Sequence, residues 1–131
     1  MNKLRFLIVE DHEFQRVMLK QALLALGAEI VHSAGNGLQA MDFLRDPGTP
    51  VDIVITDLMM PEVDGIELIP LLGRAAKNVA LVFASSAEGT IGAAVEIAKA
   101  HGVFVLGTLT KPITPDKLRQ LLDQYVARSP A

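Results

Sequence analysis

The chain has 131 residues, of which 50% are apolar, with no cysteine, no tryptophan and a formal net charge of -3. This length fits one domain that buries roughly two thirds of its unfolded surface, and the lack of cysteine excludes a disulfide framework, a thiolate metal cluster and a cysteine nucleophile. Because Lys and Arg are dispersed and form no basic stripe, direct binding of nucleic acid is disfavoured.

Apolar strand-like runs and helix-like spacings alternate along the chain. The runs predict strands over residues 4–9, 29–33, 51–56, 79–84 and 103–106, and the spacings predict helices over 11–26, 37–45, 64–76, 88–100 and 114–127. Gly27 ends the first helix, Asp46-Pro47-Gly48 ends the second, and Pro70 should kink or split the third. The last helix has the clearest start, with Thr114 as N-cap and Pro115 at the first helical position.

Five continuous apolar strands separated by helices predict an α/β fold, a doubly wound five-stranded parallel sheet covered on both faces. Residues 1–131 are expected to form one domain with its core over about 4–127, and the polar tail 127–131 fits a stand-alone domain or a fragment of a longer protein. No apolar stretch approaches the roughly eighteen residues of a membrane helix, and an acidic pair interrupts the first apolar run where a signal peptide would continue. We therefore expect a cytoplasmic protein with no membrane contact.

Acidic side chains follow the first and third predicted strands. Glu10 and Asp11 come directly after the first strand, and Asp57 ends the apolar run of the third. The carboxyl ends of parallel strands meet at one edge of a sheet, where ligands bind, and three converging carboxylates raise one another's pKa unless a cation lies among them. Mg2+ suits such a site because it takes oxygen ligands. The alternative for Asp57 is a strand-end turn residue. For the acidic pair, an N-cap with first-turn charge is expected as well and does not exclude binding of a cation.

A basic residue and a hydroxyl residue follow the last two predicted strands. Lys111 can pair with the Asp57 carboxylate at rest and with a phosphoryl oxygen afterwards, and the adjacent Pro112 predicts a rigid turn. Ser85 could donate its hydroxyl to a phosphoryl oxygen, although a turn or helix cap is an equal alternative for it. Together these residues predict a phosphorylation site at the carboxyl edge of the sheet.

These motifs, in this order, resemble the receiver domain of two-component response regulators. The resemblance covers residues 4–126 and depends on LIVED (7–11), ITDLMMPEVDGIEL (55–68), FASS (83–86) and TKP (110–112). It implies a flavodoxin-like (βα)5 fold with strand order 2-1-3-4-5. It also implies a phosphorylation-dependent signalling switch, rather than an enzyme, that accepts a phosphoryl group from a histidine kinase.

The resemblance assigns roles to the acidic residues by position. Asp57 resembles the phosphoryl acceptor, and Glu10 and Asp11 resemble the acidic pair that binds Mg2+. Met59 resembles the residue whose backbone carbonyl also binds the ion. The implied chemistry is transfer of a phosphoryl group from a kinase histidine to Asp57, with Mg2+ neutralising charge and the protein positioning the groups.

The resemblance also assigns roles to the two remaining motifs. Ser85 is similar to the hydroxyl residue that moves toward the phosphoryl group, and Lys111 is similar to its charge partner. Phosphorylation is implied to alter the surface of the fourth helix, fifth strand and fifth helix, which here are the elements predicted over 88–100, 103–106 and 114–127. The implied partners are a sensor histidine kinase or phosphotransfer protein, an output domain or partner protein, and a second copy of the chain in a phosphorylation-dependent dimer.

The chain departs from the receiver pattern near its last strand. Receivers commonly have Tyr or Phe three residues before the final Lys, where this chain has Thr108. Gly102 lies nine residues before Lys111 instead of the more usual seven, so about two extra residues surround the fifth strand. This variant is similar to receivers that precede cyclic-di-GMP phosphodiesterase domains.

Other functions of an α/β domain fit the residues less well. A phosphohydrolase of the haloacid dehalogenase family would carry a second Asp two residues after its nucleophile, where this chain has Met59. A flavodoxin-like nucleotide carrier needs small and hydroxyl residues after its first strand, whereas Glu10-Asp11-His12-Glu13 would repel a phosphate. A receiver fold that serves only as a non-signalling interaction module is the remaining alternative, and the intact acidic pair, Asp57 and Lys111 argue against it.

Overall fold

A computed structural model of the chain describes residues 4–57, 69–70, 79–85, 88–111 and 113–128. Its strands are β1 (Arg5–Val9), β2 (Ile30–Ala34), β3 (Ile53–Asp57), β4 (Ala80–Ser85) and β5 (Phe104–Thr110). The helices with defined bounds in these ranges are α1 (Glu13–Ala25), α2 (Gly37–Arg45), α3 (Glu88–Ala100) and α4 (Pro115–Arg128). The helix predicted over 64–76 lies outside the described residues except for Ile69 and Pro70, which are helical. Within the described ranges, no helix is both long enough and apolar enough to cross a membrane.

The five strands form one parallel sheet in the order β2-β1-β3-β4-β5. The order reverses at β1, which pairs with β2 on one side and β3 on the other. In open α/β sheets the crevice beyond the carboxyl ends of the strands at such a reversal is where ligands bind. The predicted doubly wound sheet and its strand order are confirmed, and the reversal lies between the two strands that carry the acidic residues.

The three central strands of the sheet, β1, β3 and β4, are buried on both faces. Phe6 and Ile8 of β1 pack into a core with side chains of α1 and α4, whereas Leu7 and Val9 pack into a second core with side chains of α2 and α3. Every residue of β3 and β4 is buried. Successive residues of a strand point to opposite faces, so a sheet with two covered faces requires the continuous apolar runs seen in the sequence.

The starts of α1 and α4 are capped differently. Thr114 Oγ1 accepts a hydrogen bond from the Lys117 backbone N–H at 3.2 Å, which confirms the predicted N-cap of α4. The N-cap of α1 is His12, which makes no side-chain capping bond. Glu10 and Asp11 therefore do not occupy the N-cap position of α1, and the N-cap part of the prediction for this acidic pair is wrong.

The last strand is longer than the sequence predicts. β5 runs over Phe104–Thr110, so the predicted strand over 103–106 was too short. The pairing with β4 skips Leu106, so this residue forms a β-bulge. The bulge accounts for one of the extra residues around the last strand. The bulge and the polar pair Gly107-Thr108 break the apolar pattern, which is why the second half of the strand could not be recognised from periodicity.

Gly107 approaches α4 more closely than a side chain would allow. A Cβ at this position would collide with Cδ1 of Leu121, which is buried in the core between the sheet and α4. We expect Gly107→Ala to lower the free energy of unfolding by about 1–3 kcal/mol, because the buried Leu121 side chain must leave its place. Chemical denaturation followed by circular dichroism measures this difference.

Gly92→Ala is the matched control for this substitution. A Cβ at Gly92, in α3, meets no atom within 4 Å. Because alanine has the higher helix propensity, this variant should gain about 0.5–1 kcal/mol. Equal effects of the two substitutions would contradict the close approach of Gly107 to Leu121.

An ion pair joins the amino-terminal ends of β1 and β3. Arg5 Nε and Nη2 donate to the Asp52 carboxylate at 2.9 and 3.0 Å, and the Arg5 backbone N–H donates to it at 2.8 Å. The hydrogen bond from the Arg5 side chain lowers the pKa of Asp52 from its ordinary value of 3.8, although burial opposes the shift. A carboxyl group whose pKa is lower in the folded state stabilises the fold at a pH above the pKa that it has in the unfolded state. This contribution is lost as the pH falls through the pKa that the group has in the folded state.

Asp52→Asn is therefore expected to change how stability depends on pH. The variant should melt at a lower temperature than the unsubstituted protein at pH 7, and the difference should shrink as the pH falls below 3.8. Melting curves recorded across this range measure the effect, with Asp42→Asn, at an exposed position of α2, as the control. A difference that stays constant with pH would mean that the Asp52 charge does not stabilise the fold.

Candidate functional site

The carboxyl edge of the sheet brings three of the predicted site residues together. Asp57 is the last residue of β3, Ser85 is the last residue of β4, and Lys111 directly follows β5. The Lys111 backbone N–H donates to the Ser85 carbonyl oxygen at 3.1 Å, which ties the turn after β5 to the end of β4. Asp57 and Ser85 are only 7% and 2% exposed, so both polar groups are enclosed by the fold.

Lys111 forms an ion pair with Asp57. Its Nζ lies 2.6 Å from Asp57 Oδ2 and 3.4 Å from Glu10 Oε2. Burial alone would lower the pKa of Lys111, but the hydrogen bond and charge of Asp57, together with the charge of Glu10, raise it above its ordinary value. Lys111 is therefore a persistent cation at the end of β5, and an ammonium can pair with a carboxylate or with a phosphoryl oxygen.

The Glu10 carboxyl group is enclosed at the same edge. It accepts hydrogen bonds from the His12 backbone N–H at 3.3 Å and from Lys111 Nζ at 3.4 Å. Burial raises the pKa of Glu10, and the hydrogen bond and negative charge of Asp57 raise it further, while Lys111 and the His12 N–H oppose the shift. The Glu10 and Asp57 carboxyl groups thus share one enclosed region, where an additional cation would favour the ionised form of Glu10.

Asp11 supplies a third carboxylate, next to that of Glu10. Its Oδ1 is buried and accepts no hydrogen bond from any residue in the described ranges, and His12 Nδ1 lies 3.4 Å away. One carboxylate oxygen each of Glu10 and Asp11 and one ring nitrogen of His12 lie within 4.8 Å of one another. A buried carboxylate oxygen without a donor costs free energy unless an ion or water satisfies it. The carboxylates therefore fit a hard divalent cation such as Mg2+, which prefers oxygen ligands.

Of the other three positions singled out near the site, the structure describes Thr108, in β5. Thr108 pairs with Phe83 of β4 and is exposed, so β5 presents a small polar side chain where receivers commonly present an aromatic ring. Met59 and Pro112, predicted as a carbonyl ligand and a rigid turn, lie outside the described residues.

Two residues of α1 reach the site without any signal in the sequence. Gln15 Oε1 accepts a hydrogen bond from Lys111 Nζ at 2.9 Å. Arg16 Nη1 donates to the Glu10 carbonyl oxygen at 2.8 Å. Polar residues on an amphipathic helix are expected to face solvent, and only the packing of α1 beside β1 brings these two side chains to the carboxyl edge.

Comparisons of the sequence identify one family. The family model of the response regulator receiver domain matches residues 6–123. The chain is 32% identical over 120 residues to the chemotaxis protein CheY of Thermotoga maritima, which covers 92% of this chain and 95% of that protein. It is 30% identical over 129 residues to the cyclic di-GMP phosphodiesterase RocR of Pseudomonas aeruginosa. This alignment covers 98% of this chain and 33% of RocR. The chain thus spans nearly all of one relative and a third of the other.

Solved structures agree with the fold. A response regulator from Colwellia psychrerythraea superposes with a TM-score of 0.79 at 29% sequence identity, covering 96% of this chain and 98% of that one. A response regulator receiver domain protein from Clostridium thermocellum superposes with a TM-score of 0.80 over 95% of each chain. Its sequence identity is 20%, so it supports the flavodoxin-like fold alone.

Proposed function

The chain belongs to the response regulator receiver domain family, and from that membership we propose that it is a signalling switch phosphorylated on Asp57. Receiver domains are generally signalling modules and not enzymes, and we propose the same for this chain. The observation that carries the proposal is the 2.6 Å contact between Lys111 Nζ and Asp57 Oδ2, beside the enclosed Glu10 carboxyl group. A strand-end carboxylate paired with a cation and flanked by acidic residues is equipped to take up a phosphoryl group.

In the proposed transfer, an Asp57 carboxylate oxygen forms a bond to phosphorus as the bond between phosphorus and the donor histidine nitrogen breaks. The nitrogen keeps the electron pair and takes up a proton, and Asp57 becomes an acyl phosphate. Lys111 then pairs with a phosphoryl oxygen in place of the free carboxylate, and the Ser85 hydroxyl is the proposed donor to another. These residues position the reacting groups and balance their charge, which is most of what phosphoryl transfer requires.

Receiver domains generally bind Mg2+ at an acidic site, and we propose that Glu10, Asp11 and Asp57 hold it here, with the backbone carbonyl of Met59. The buried Asp11 Oδ1, which has no hydrogen-bond donor within the described part of the chain, supports this assignment. When bound, Mg2+ would neutralise part of the charge that accumulates on the phosphoryl oxygens.

The proposed phosphoryl donor is a sensor histidine kinase or a phosphotransfer protein in the cytoplasm. Phe14, Val17 and Met18 are 75%, 48% and 54% exposed, and their spacing places them on one side of α1. Gln15 of the same helix contacts Lys111, so this apolar surface lies near the acceptor. Contiguous exposed apolar side chains mark protein interaction sites, which supports a protein as the donor.

A small phosphodonor such as acetyl phosphate, supplied with Mg2+, tests the proposal most directly. Intact-protein mass spectrometry should show one phosphoryl adduct that is lost over time and on removal of the donor. No adduct and no consumption of the donor would favour the non-signalling interaction module. Fast consumption of the donor without an accumulating adduct would favour a phosphohydrolase, which the Met59 position argues against.

The output is proposed to pass through the surface formed by α3, β5 and α4, with residues 85–89 and the rest of α3 moving first. Thr108 has no ring to bury, so the signal needs a route other than an aromatic side chain. Gly92 and Ala93 are exposed residues of α3 with little side-chain bulk to resist a shift. A change in the population of two arrangements of this surface is then enough to alter binding of a partner.

Amide exchange measured by NMR, with and without beryllofluoride as a phosphoryl mimic, locates the moving surface. We expect changes to concentrate over residues 85–102 and 108–111. Changes confined to the surroundings of Asp57, with α3 unaffected, would contradict this route.

The output partner depends on the protein context of the domain. The name cyclic di-GMP phosphodiesterase describes the whole RocR protein, and this chain spans only 33% of its length. In contrast, this chain spans 95% of CheY from Thermotoga maritima. We propose an output domain or a separate partner protein as the reader of the switch, the former being the arrangement suggested by Thr108 and the lengthened last strand. A phosphorylation-dependent dimer is a third arrangement, which sedimentation with and without beryllofluoride distinguishes.

A further inference from the structure

Three acceptors from separate parts of the chain surround the Lys111 ammonium. Asp57 Oδ2 lies 2.6 Å from Nζ, Gln15 Oε1 lies 2.9 Å from it and Glu10 Oε2 lies 3.4 Å from it. A lysine ammonium has three N–H donors, so these contacts account for all of them. Asp57 ends β3, Glu10 directly follows β1, and only Gln15 belongs to a helix.

The three acceptors differ in whether their contact with Lys111 can remain when a phosphoryl group and a metal ion bind. The Asp57 and Glu10 carboxyl groups are proposed to meet the phosphoryl group and the metal ion, so their contacts with Lys111 must change. Gln15 is neutral and is not one of the proposed ligands. Its amide oxygen can therefore keep its contact with the ammonium both before and after a phosphoryl group arrives.

We infer that Gln15 is a positioning residue that holds the Lys111 ammonium toward Asp57. The inference rests on the proposed function, in which Lys111 pairs with the phosphoryl group. A lysine side chain has a flexible four-carbon stem, and each of its rotamers that points away from Asp57 removes the cation from the site. The Gln15 contact excludes some of these rotamers and links α1, which carries the exposed apolar surface, to the acceptor.

The first test measures the position of Lys111 in the protein without phosphodonor. The NMR order parameter of the Lys111 Cε methylene, whose signal is assigned by its loss in Lys111→Ala, should fall in Gln15→Ala. It should recover in Gln15→Glu, because a carboxylate oxygen at that position also accepts the hydrogen bond. Gln21→Ala is the matched control, since Gln21 is an exposed glutamine of the same helix. An order parameter in Gln15→Ala equal to that in Gln21→Ala would overturn the inference.

The second test measures the initial rate of phosphorylation by acetyl phosphate and Mg2+. Loss of one exposed hydrogen bond to a charged group should slow Gln15→Ala by about two- to fivefold, whereas Gln21→Ala should keep the unsubstituted rate. Equal rates in the two variants would overturn the inference. If the unsubstituted protein takes up no phosphoryl group, the proposed function fails, while the order parameter still decides whether Gln15 holds Lys111.

Discussion

Asp57→Asn is expected to abolish phosphorylation by acetyl phosphate and Mg2+ while leaving the fold intact. Asn matches Asp in shape at the enclosed end of β3, so the surrounding strands can keep their packing. A side-chain amide, however, lacks the carboxylate oxygen that would form the acyl phosphate. Intact-protein mass spectrometry should show one adduct on the unsubstituted protein and none on the variant, and circular dichroism should show the same secondary structure for both.

The control for this loss is a carboxylate outside the site. Asp42→Asn makes the same chemical change at an exposed position of α2 and should be phosphorylated like the unsubstituted protein. An undiminished adduct on Asp57→Asn would place the acceptor elsewhere. Glu10 and Asp11, at the same edge of the sheet, would then be the next residues to test.

Removal of the Asp11 carboxylate should have the second large effect, on Mg2+ binding. Asp11→Ala eliminates the buried Oδ1 that has no hydrogen-bond donor among the described residues. Loss of an outer-shell partner alone typically costs about 10–100-fold in metal affinity, so loss of Asp11 as the proposed direct ligand should weaken Mg2+ binding by about tenfold or more. Calorimetric titration measures this affinity directly, which is useful because the chain has no tryptophan to report binding by fluorescence.

Thermal denaturation gives an independent measurement of the same site. A ligand that binds only the folded state raises the melting temperature, so Mg2+ should stabilise the unsubstituted protein more than Asp11→Ala. Asp42→Ala, at its exposed position on α2, should respond to Mg2+ like the unsubstituted protein. Equal affinities and equal melting shifts in all three proteins would show that the Asp11 carboxylate does not bind the ion.

The sequence by itself determined the sheet and the edge at which the site lies. A strand buried on both faces must be apolar at successive positions, so the runs that become β3 and β4 are visible without any knowledge of their partners. The start of α4 could also be predicted from neighbouring residues, because the Thr114 hydroxyl oxygen caps the helix as expected. Since parallel strands end at one edge, residues that follow separate strands could be placed together before their distances were known.

The tertiary structure alone decided the contacts that depend on how elements pack against one another. The bulge at Leu106 and the extension of β5 come from pairing with β4, a long-range interaction that leaves no periodic pattern in the strand itself. The raised pKa of Glu10 comes from burial beside Asp57, which a position in the sequence does not report. The contact between Gln15 and Lys111 joins a helix turn to a strand end 96 residues away, and only the packing of α1 against the sheet brings them within a hydrogen bond of each other.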